Sequence, residues 1–236
     1  MSETTKKFDF KDWWKNIISE SELKAIKHHE INKKNLFIDG YYIDPRVCDN
    51  LISYFKSSDK KYVGKLGVGK VMKDKKDSTD LQITPPEFDT VLPIMDYCGQ
   101  LKKVLVPWLL KYPQPAHNFG PWSLLTPFNI QHYKPGGGYF IEHCERDGYS
   151  HTFRVLAFMT YLNDVTDGGE TYWPNQDVKI KPEKGLTVFW PTDYTHTHQG
   201  IVSKTQDKYI TTGWYSFDKE NVARSIELEE RDIPVK

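Results

Sequence analysis

Tyr133-Lys-Pro-Gly-Gly-Gly-Tyr139-Phe-Ile-Glu-His143-Cys-Glu145 and, farther along, His196-Thr-His198-Gln-Gly200 decide how this chain is read. The first segment turns at Pro135 to Gly138 and then alternates. Tyr139, Ile141, His143 and Glu145 fall on one strand face, and Phe140, Glu142 and Cys144 on the other. Residues two apart on a strand stand about 6.5 to 7 Å apart, side by side. An imidazole and a carboxylate so placed can share one metal ion. With a third ligand they make the two-histidine, one-carboxylate face that leaves coordination positions open. His-x-Glu alone is weak evidence, because such a pair is more often a surface or core pair.

The second segment adds the candidates for that third ligand. His196, His198, Gly200 and Val202 share one face of a predicted strand over 194–202, and glycine at 200 leaves room beside His198. Lys208, Ile210, Thr212 and Trp214 share a face of the next strand. Lys208 is either a solvent-facing lysine on an edge strand or a cation set to pair with the buried carboxylate of a small acid. Between the two segments stand Arg154, Tyr161-Leu162-Asn163, Gly168-Gly169-Glu170-Thr171 and Phe189-Trp190-Pro191.

This ordered series, from about Tyr133 to Trp214, resembles the iron(II)- and 2-oxoglutarate-dependent dioxygenases, in particular their prolyl 4-hydroxylase-like branch. The chain departs from most of that family at Glu145, where aspartate is usual. The resemblance implies a double-stranded β-helix, or jelly roll, with iron(II) held by His143, Glu145 and His198. It also implies 2-oxoglutarate as co-substrate, its distal carboxylate on Lys208 and the Tyr133 hydroxyl, with O2 as second co-substrate and ascorbate as an accessory reductant. The ten residues from His198 to Lys208 are the interval of that branch, which favours His198 over His196. His196 would then sit near the pocket mouth or support a ligand. Trp214 either lines the co-substrate pocket or belongs to the core. Arg154 either anchors the sheet or approaches substrate, and Asn163 and Glu170 read as turn and supporting residues. The implied reaction is hydroxylation of a C–H bond in a peptidyl substrate, prolyl included, or in a small molecule, with 2-oxoglutarate decarboxylated to succinate. Two alternatives stand beside it: a jelly-roll binding protein without iron chemistry, and a zinc hydrolase on the same three ligands, which would need neither Lys208 nor Tyr133.

The 236 residues suffice for one domain with a good core. At 38% hydrophobic and 27% charged the chain reads as globular, and 14% aromatics suit a β core with a lined pocket. A net charge of zero argues against a general nucleic-acid or membrane-surface binder. Cys48, Cys98 and Cys144 are odd in number and widely spaced, so neither a disulfide framework nor a zinc knuckle is expected, and a reducing cytoplasm is. The first residues lack the apolar run of a signal peptide, and no stretch approaches the ~20 apolar residues that span a bilayer. Oligomeric state is not legible.

The expected organisation is α+β in a single catalytic domain over 1–236: a mainly helical support region at 1–125, the jelly-roll core at 126–217 and a tail at 218–236 holding one more helix and a strand. Residues 1–35 read as a helical lead-in with Trp13, Trp14, Ile17 and Ile18 as its apolar stripe. A strand at Leu36 to Ile43 leads to a helix capped by Asp44, begun by Pro45 and buried at Val47, Leu51, Ile52 and Phe55. Residues 58–84 read as a flexible loop near the substrate entrance. Gly64 to Lys70 imitates a phosphate loop, but Val71 stands where Ser or Thr is needed. Pro85 to Tyr112 is helical, with breaks or kinks predicted at Pro93 and Pro107. Strands are predicted at 128–133, with Asn129, Gln131 and Tyr133 on one face, and at 154–163, 171–173, 178–180, 186–190 and 208–217.

Overall fold

The computed structural model describes residues 12–31, 36–66 and 69–218. The expectations for the first eleven residues and for a helix and strand in the tail fall outside the described residues. The lead-in is shorter in its elements than its apolar stripe suggests. A 3-10 turn at Trp13–Asn16 precedes α1 (Glu20–Ala25), which Ser19 and Glu22 open with a capping box.

Asp44 accepts a hydrogen bond from the Arg46 amide and so caps α2 (Pro45–Ser57), whose Val47, Cys48, Leu51 and Phe55 recur at helical spacing and are buried. Next comes α3 (Leu92–Lys111), then the single turn α4 (Gln114–His117). Pro93 sits in the first turn of α3, where an amide has no partner to lose. Pro107 lies inside α3, yet the helix runs through it. The buried side chains around it, Val104, Leu105, Trp108 and Leu109, explain this. Each gains about 1.5 to 3 kcal/mol from burial, against about 3 kcal/mol lost at one interior proline.

The strands are β1 (His28–His29), β2 (Asp39–Tyr42), β3 (Tyr62–Val63), β4 (Thr79–Ile83), β5 (Trp122–Ser123), β6 (Phe128–Tyr133), β7 (Arg154–Tyr161), β8 (Thr171–Trp173), β9 (Val178–Ile180), β10 (Leu186–Pro191), β11 (Gln199–Gly200) and β12 (Lys208–Phe217). They form two antiparallel sheets. The larger runs β1-β2-β10-β7-β12-β6-β4-β3, with β5 beside β12, and the smaller runs β11-β8-β9. This is the jelly-roll architecture, one large and one small sheet, with helices covering the outer face of the large one.

Two apolar layers hold it. Leu156 and Phe158 of β7 pack toward α2 and α3, while Ala157, Met159 and Tyr161 pack toward Trp173, Val178 and Ile180 of the small sheet. A strand buried on both faces needs a near-continuous apolar run, which is why β7 does not alternate. At Gly213 of β12 a Cβ would stand 2.5 Å from the Phe128 Cβ and 2.6 Å from the Phe158 ring, so this crossing tolerates only glycine.

The segment 58–84 differs from the expected flexible loop. It supplies β3 and β4, and β4 joins the large sheet with Asp80 opposite Gln131. Leu81 and Ile83 are buried there, an apolar pair that the surrounding lysines and aspartates obscure. Leu66 bridges Lys70 and no helix follows, which is not the geometry of a phosphate loop.

Candidate active site

His143 and His198 meet in an isolated antiparallel bridge, each amide donating to the other's carbonyl at 3.0 and 2.9 Å. This replaces both regular strands expected here. Tyr139 to Glu145 is irregular, bent at Ile141 and Glu145, and bridged only at Tyr139, to Lys76, and at His143. Tyr194 to Val202 begins as a 3-10 turn at Tyr194–His196 and pairs only at His198, with His143, and over β11. His196 and His198 therefore do not share a strand face. The His196 ring turns away, its Nε2 2.9 Å from the Leu36 carbonyl. A Cβ at Gly200 would meet nothing closer than 3.5 Å, so glycine is not required there to make room beside His198.

The two imidazoles are oriented alike. His143 Nδ1 lies 3.2 Å from the Ile141 carbonyl and His198 Nδ1 lies 3.0 Å from the His196 carbonyl. Donation from Nδ1 to these carbonyls leaves both Nε2 atoms as lone-pair donors. Tyr139 stacks on the His143 ring at 4.0 Å, and Trp190 and Trp173 flank His198 at 5.0 and 5.7 Å. Glu145 completes the group. Its Oε1 stands 3.2 Å from His198 Nε2 and 3.8 Å from His143 Nε2, and the ligand atoms of all three residues lie within 4.8 Å of one another. Burial pushes the Glu145 carboxyl up, but the hydrogen bond and charge that His198 offers in its protonated form, then the charges that His143 and Arg154 can carry, bring it down to about 2. Burial and the neighbouring His198 push His143 down to about 4, so it is neutral at pH 7. A carboxylate and a neutral imidazole are the donor states a divalent metal takes.

The other Glu145 oxygen, Oε2, accepts a hydrogen bond of 2.7 Å from Trp214 Nε1. The Arg154 guanidinium lies 3.5 Å from the centre of the Trp214 ring and donates to the Glu145 backbone carbonyl at 2.7 Å. Trp214 and Arg154 both line the cavity, and both contact Glu145.

A cavity of about 550 Å3 opens over this group and reaches Lys208, Tyr133 and Gln131. Lys208 is 8% exposed and faces Tyr133 across the β6–β12 pair. Its Nζ lies 5.4 and 5.8 Å from the Tyr161 and Tyr133 ring centres, and no carboxylate pairs with it among the described residues. Burial lowers it to about 8, only partly opposed by the charge of Glu170. The Tyr133 hydroxyl donates to Gln131 Oε1 at 2.9 Å. Asn163 ties the β7 exit to the β12 start through the Asp207 carbonyl and the Tyr209 amide, the turn role expected of it.

No motif announces the polar wall beyond Tyr133. Asp80, 2% exposed, takes Lys76 Nζ at 2.6 Å, Ser78 Oγ at 2.7 Å and Gln131 Nε2 at 3.2 Å, and so fixes the amide that holds the Tyr133 hydroxyl. Only the alternation of Thr79 to Ile83 could have signalled this strand. Its partner, Gln131, is fifty-one positions away.

Comparison with known proteins agrees with this geometry. Residues 128–216 match the 2OG-Fe(II) oxygenase superfamily, a description that names both the metal and the co-substrate. Prolyl 4-hydroxylase subunit alpha-1 of Gallus gallus is 27% identical over 84 residues, 33% of this chain and 16% of that one. A putative prolyl 4-hydroxylase of Acanthamoeba polyphaga mimivirus is 33% identical over 82 residues, 31% of this chain and 32% of that one. The chain thus spans a third or less of the length of these curated relatives. In fold it is similar to the viral collagen prolyl hydroxylase of Paramecium Bursaria Chlorella virus-1, solved with 2-oxoglutarate, at TM-score 0.57 and 21% identity over 76% of this chain and 95% of that one. A prolyl hydroxylase from Trichoplax adhaerens, in complex with a hypoxia inducible factor peptide fragment, gives TM-score 0.62 at 16% identity over 80% and 87%. Residues 128–216, which hold His143, Glu145 and His198, are thus similar in sequence to the 2OG-Fe(II) oxygenase superfamily, and the fold is similar to that of solved prolyl hydroxylases.

Proposed function

We propose that this protein is an iron(II)- and 2-oxoglutarate-dependent dioxygenase that hydroxylates a C–H bond of a peptidyl substrate, prolyl residues being the first candidates. His143, Glu145 and His198 would hold the metal, and Lys208 the distal carboxylate of 2-oxoglutarate, with Tyr133 beside it. The observation that carries this reading is Lys208: a buried cation without a carboxylate partner among the described residues, facing the same cavity as the three ligand atoms. Burying an unpaired ammonium is costly, and a dicarboxylic acid entering the cavity would supply its missing partner. A zinc hydrolase would leave that cost without purpose.

The residues divide the work. The Nδ1 contacts of His143 and His198 fix both rings, so that little rearrangement accompanies metal entry. Trp173 and Trp190, both buried, pack against the His198 ring and limit its contact with water. The Gln131–Asp80 chain fixes the Tyr133 hydroxyl at the far end, where the co-substrate carboxylate would lie. Bound iron(II), with O2 and 2-oxoglutarate, supplies the oxidant: one oxygen atom enters the C–H bond and the other enters succinate as carbon dioxide leaves.

We further read the described residues as one catalytic domain, with ascorbate as the reductant that restores activity after uncoupled turnover. The three free cysteines support a cytoplasmic setting. Anaerobic titration with Fe(II) and then 2-oxoglutarate tests the reading. The weak visible charge-transfer band of the chelate should appear in the parent protein. Its absence, with Fe(II) bound, would leave a jelly-roll binding protein or a hydrolase.

A further inference from the structure

We propose that Trp214 is a positioning residue that makes Glu145 a one-oxygen ligand and makes glutamate, not aspartate, the fitting residue at position 145. This rests on the metal assignment above and deepens it.

Glu145 is 7% exposed, and its two oxygens have different surroundings. Oε1 faces the two imidazole Nε2 atoms at 3.2 and 3.8 Å. Oε2 faces away from that group and accepts the Trp214 indole N–H at 2.7 Å. A neutral N–H donor to a buried carboxylate makes a charge-assisted bond, stronger than a neutral pair. With Oε2 held this way, the carboxylate plane is set and only Oε1 is free to meet a cation.

The partner of the bond is itself fixed. Trp214 lies on β12, whose pairing with β7 places it opposite Ala157. Its ring face is covered by the Arg154 guanidinium at 3.5 Å. Arg154 spends Nη1 on the Glu145 carbonyl at 2.7 Å and stands 3.9 Å from Oε2, so it adds charge there without taking the Trp214 position. The peptide that follows Glu145 is held at both its polar groups: the Glu145 carbonyl by Arg154, and the Arg146 amide by the Thr192 carbonyl at 3.0 Å. These two contacts anchor the main chain at 145 toward Arg154 and Thr192. An aspartate is shorter by one carbon–carbon bond, about 1.5 Å. From the same Cα it reaches either Trp214 or the imidazole pair, not both. Glu145 and Trp214 form a matched pair that spans this gap.

The test is a double-variant cycle on the full chain, read by calorimetric titration of Mn(II) under argon, which needs no turnover. Trp214→Phe removes the donor and keeps an aromatic ring under Arg154. It should weaken Mn(II) binding about tenfold to a hundredfold, the usual effect of removing a hydrogen bond to a charged group. Glu145→Asp should weaken binding as well. The two changes together should be no worse than Glu145→Asp alone, because the shorter side chain has already lost Trp214. Trp214→His, which keeps a ring N–H, should bind better than Trp214→Phe, and it carries the test if the phenylalanine variant does not fold. Equal Mn(II) affinity in parent and Trp214→Phe, or additive losses in the double variant, would overturn the pairing. A parent protein that binds no Mn(II) would instead overturn the metal assignment, and the pairing with it.

Discussion

Replacing Lys208 with methionine should make the free protein more stable and, at the same time, blind to 2-oxoglutarate. Lys208 is buried with no carboxylate partner among the described residues, and burial takes it from 10.5 to about 8. That fall corresponds to about 3 kcal/mol against the charged form in the fold. Methionine keeps the length and apolar stem and drops the charge, so it should recover about 1 to 3 kcal/mol at pH 7, seen as a higher urea midpoint. The sign with pH follows. A lysine depressed in the fold is neutral there above about 8, while the unfolded chain holds its proton up to 10.5. The parent therefore gains stability as pH rises through that window, and its deficit against the variant closes. Saturating 2-oxoglutarate with Mn(II) acts in the other direction. At a hundred times its dissociation constant a ligand adds about 2.7 kcal/mol to the parent. The variant should gain only what metal alone gives. Parent affinity for 2-oxoglutarate should also fall as pH rises above about 8, as the free Lys208 loses its proton. A variant less stable than the parent without ligand, or one that 2-oxoglutarate protects equally, would refute the assignment of Lys208.

Other changes probe the remaining parts. Glu145→Gln keeps an oxygen for the Trp214 N–H but removes the anion, so Mn(II) binding should drop more than about a hundredfold with the fold intact by circular dichroism. His198→Ala should abolish Mn(II) binding. His196→Ala should keep it, since His198 is oriented by the His196 backbone carbonyl, and should cost about 1 to 3 kcal/mol of stability through the orphaned Leu36 carbonyl. Gly213→Ala forces a methyl against Phe128 and Phe158 and should cost about 1 to 3 kcal/mol, read as a lower thermal midpoint with metal affinity retained.

Much of the molecule is legible in local pattern. Asp44 and Pro45 announce α2, and the apolar run from Val155 to Tyr161 announces a strand buried on both faces, because capping and two-sided burial depend on neighbours in sequence. His143-x-Glu145 is local too but weak alone, and it is the ordered series from Tyr133 to Trp214, through its resemblance to a known family, that suggests metal and co-substrate. Tertiary structure decides what lies between those residues. Periodicity puts His196 and His198 on one face, but the 3-10 turn at Tyr194–His196 breaks the alternation and sends one ring to Leu36 and the other to Glu145. Pro107 reads as a break, and the packing of its neighbours overrides it. Asp80 and Lys76 read as loop charges until β4 lies against β6 and buries them beside Gln131. Trp214 reads equally as pocket or core. Its bond to Glu145 joins residues sixty-nine positions apart, and no local rule relates them. Such contacts follow from sheet register and loop closure, which burial over the whole chain sets.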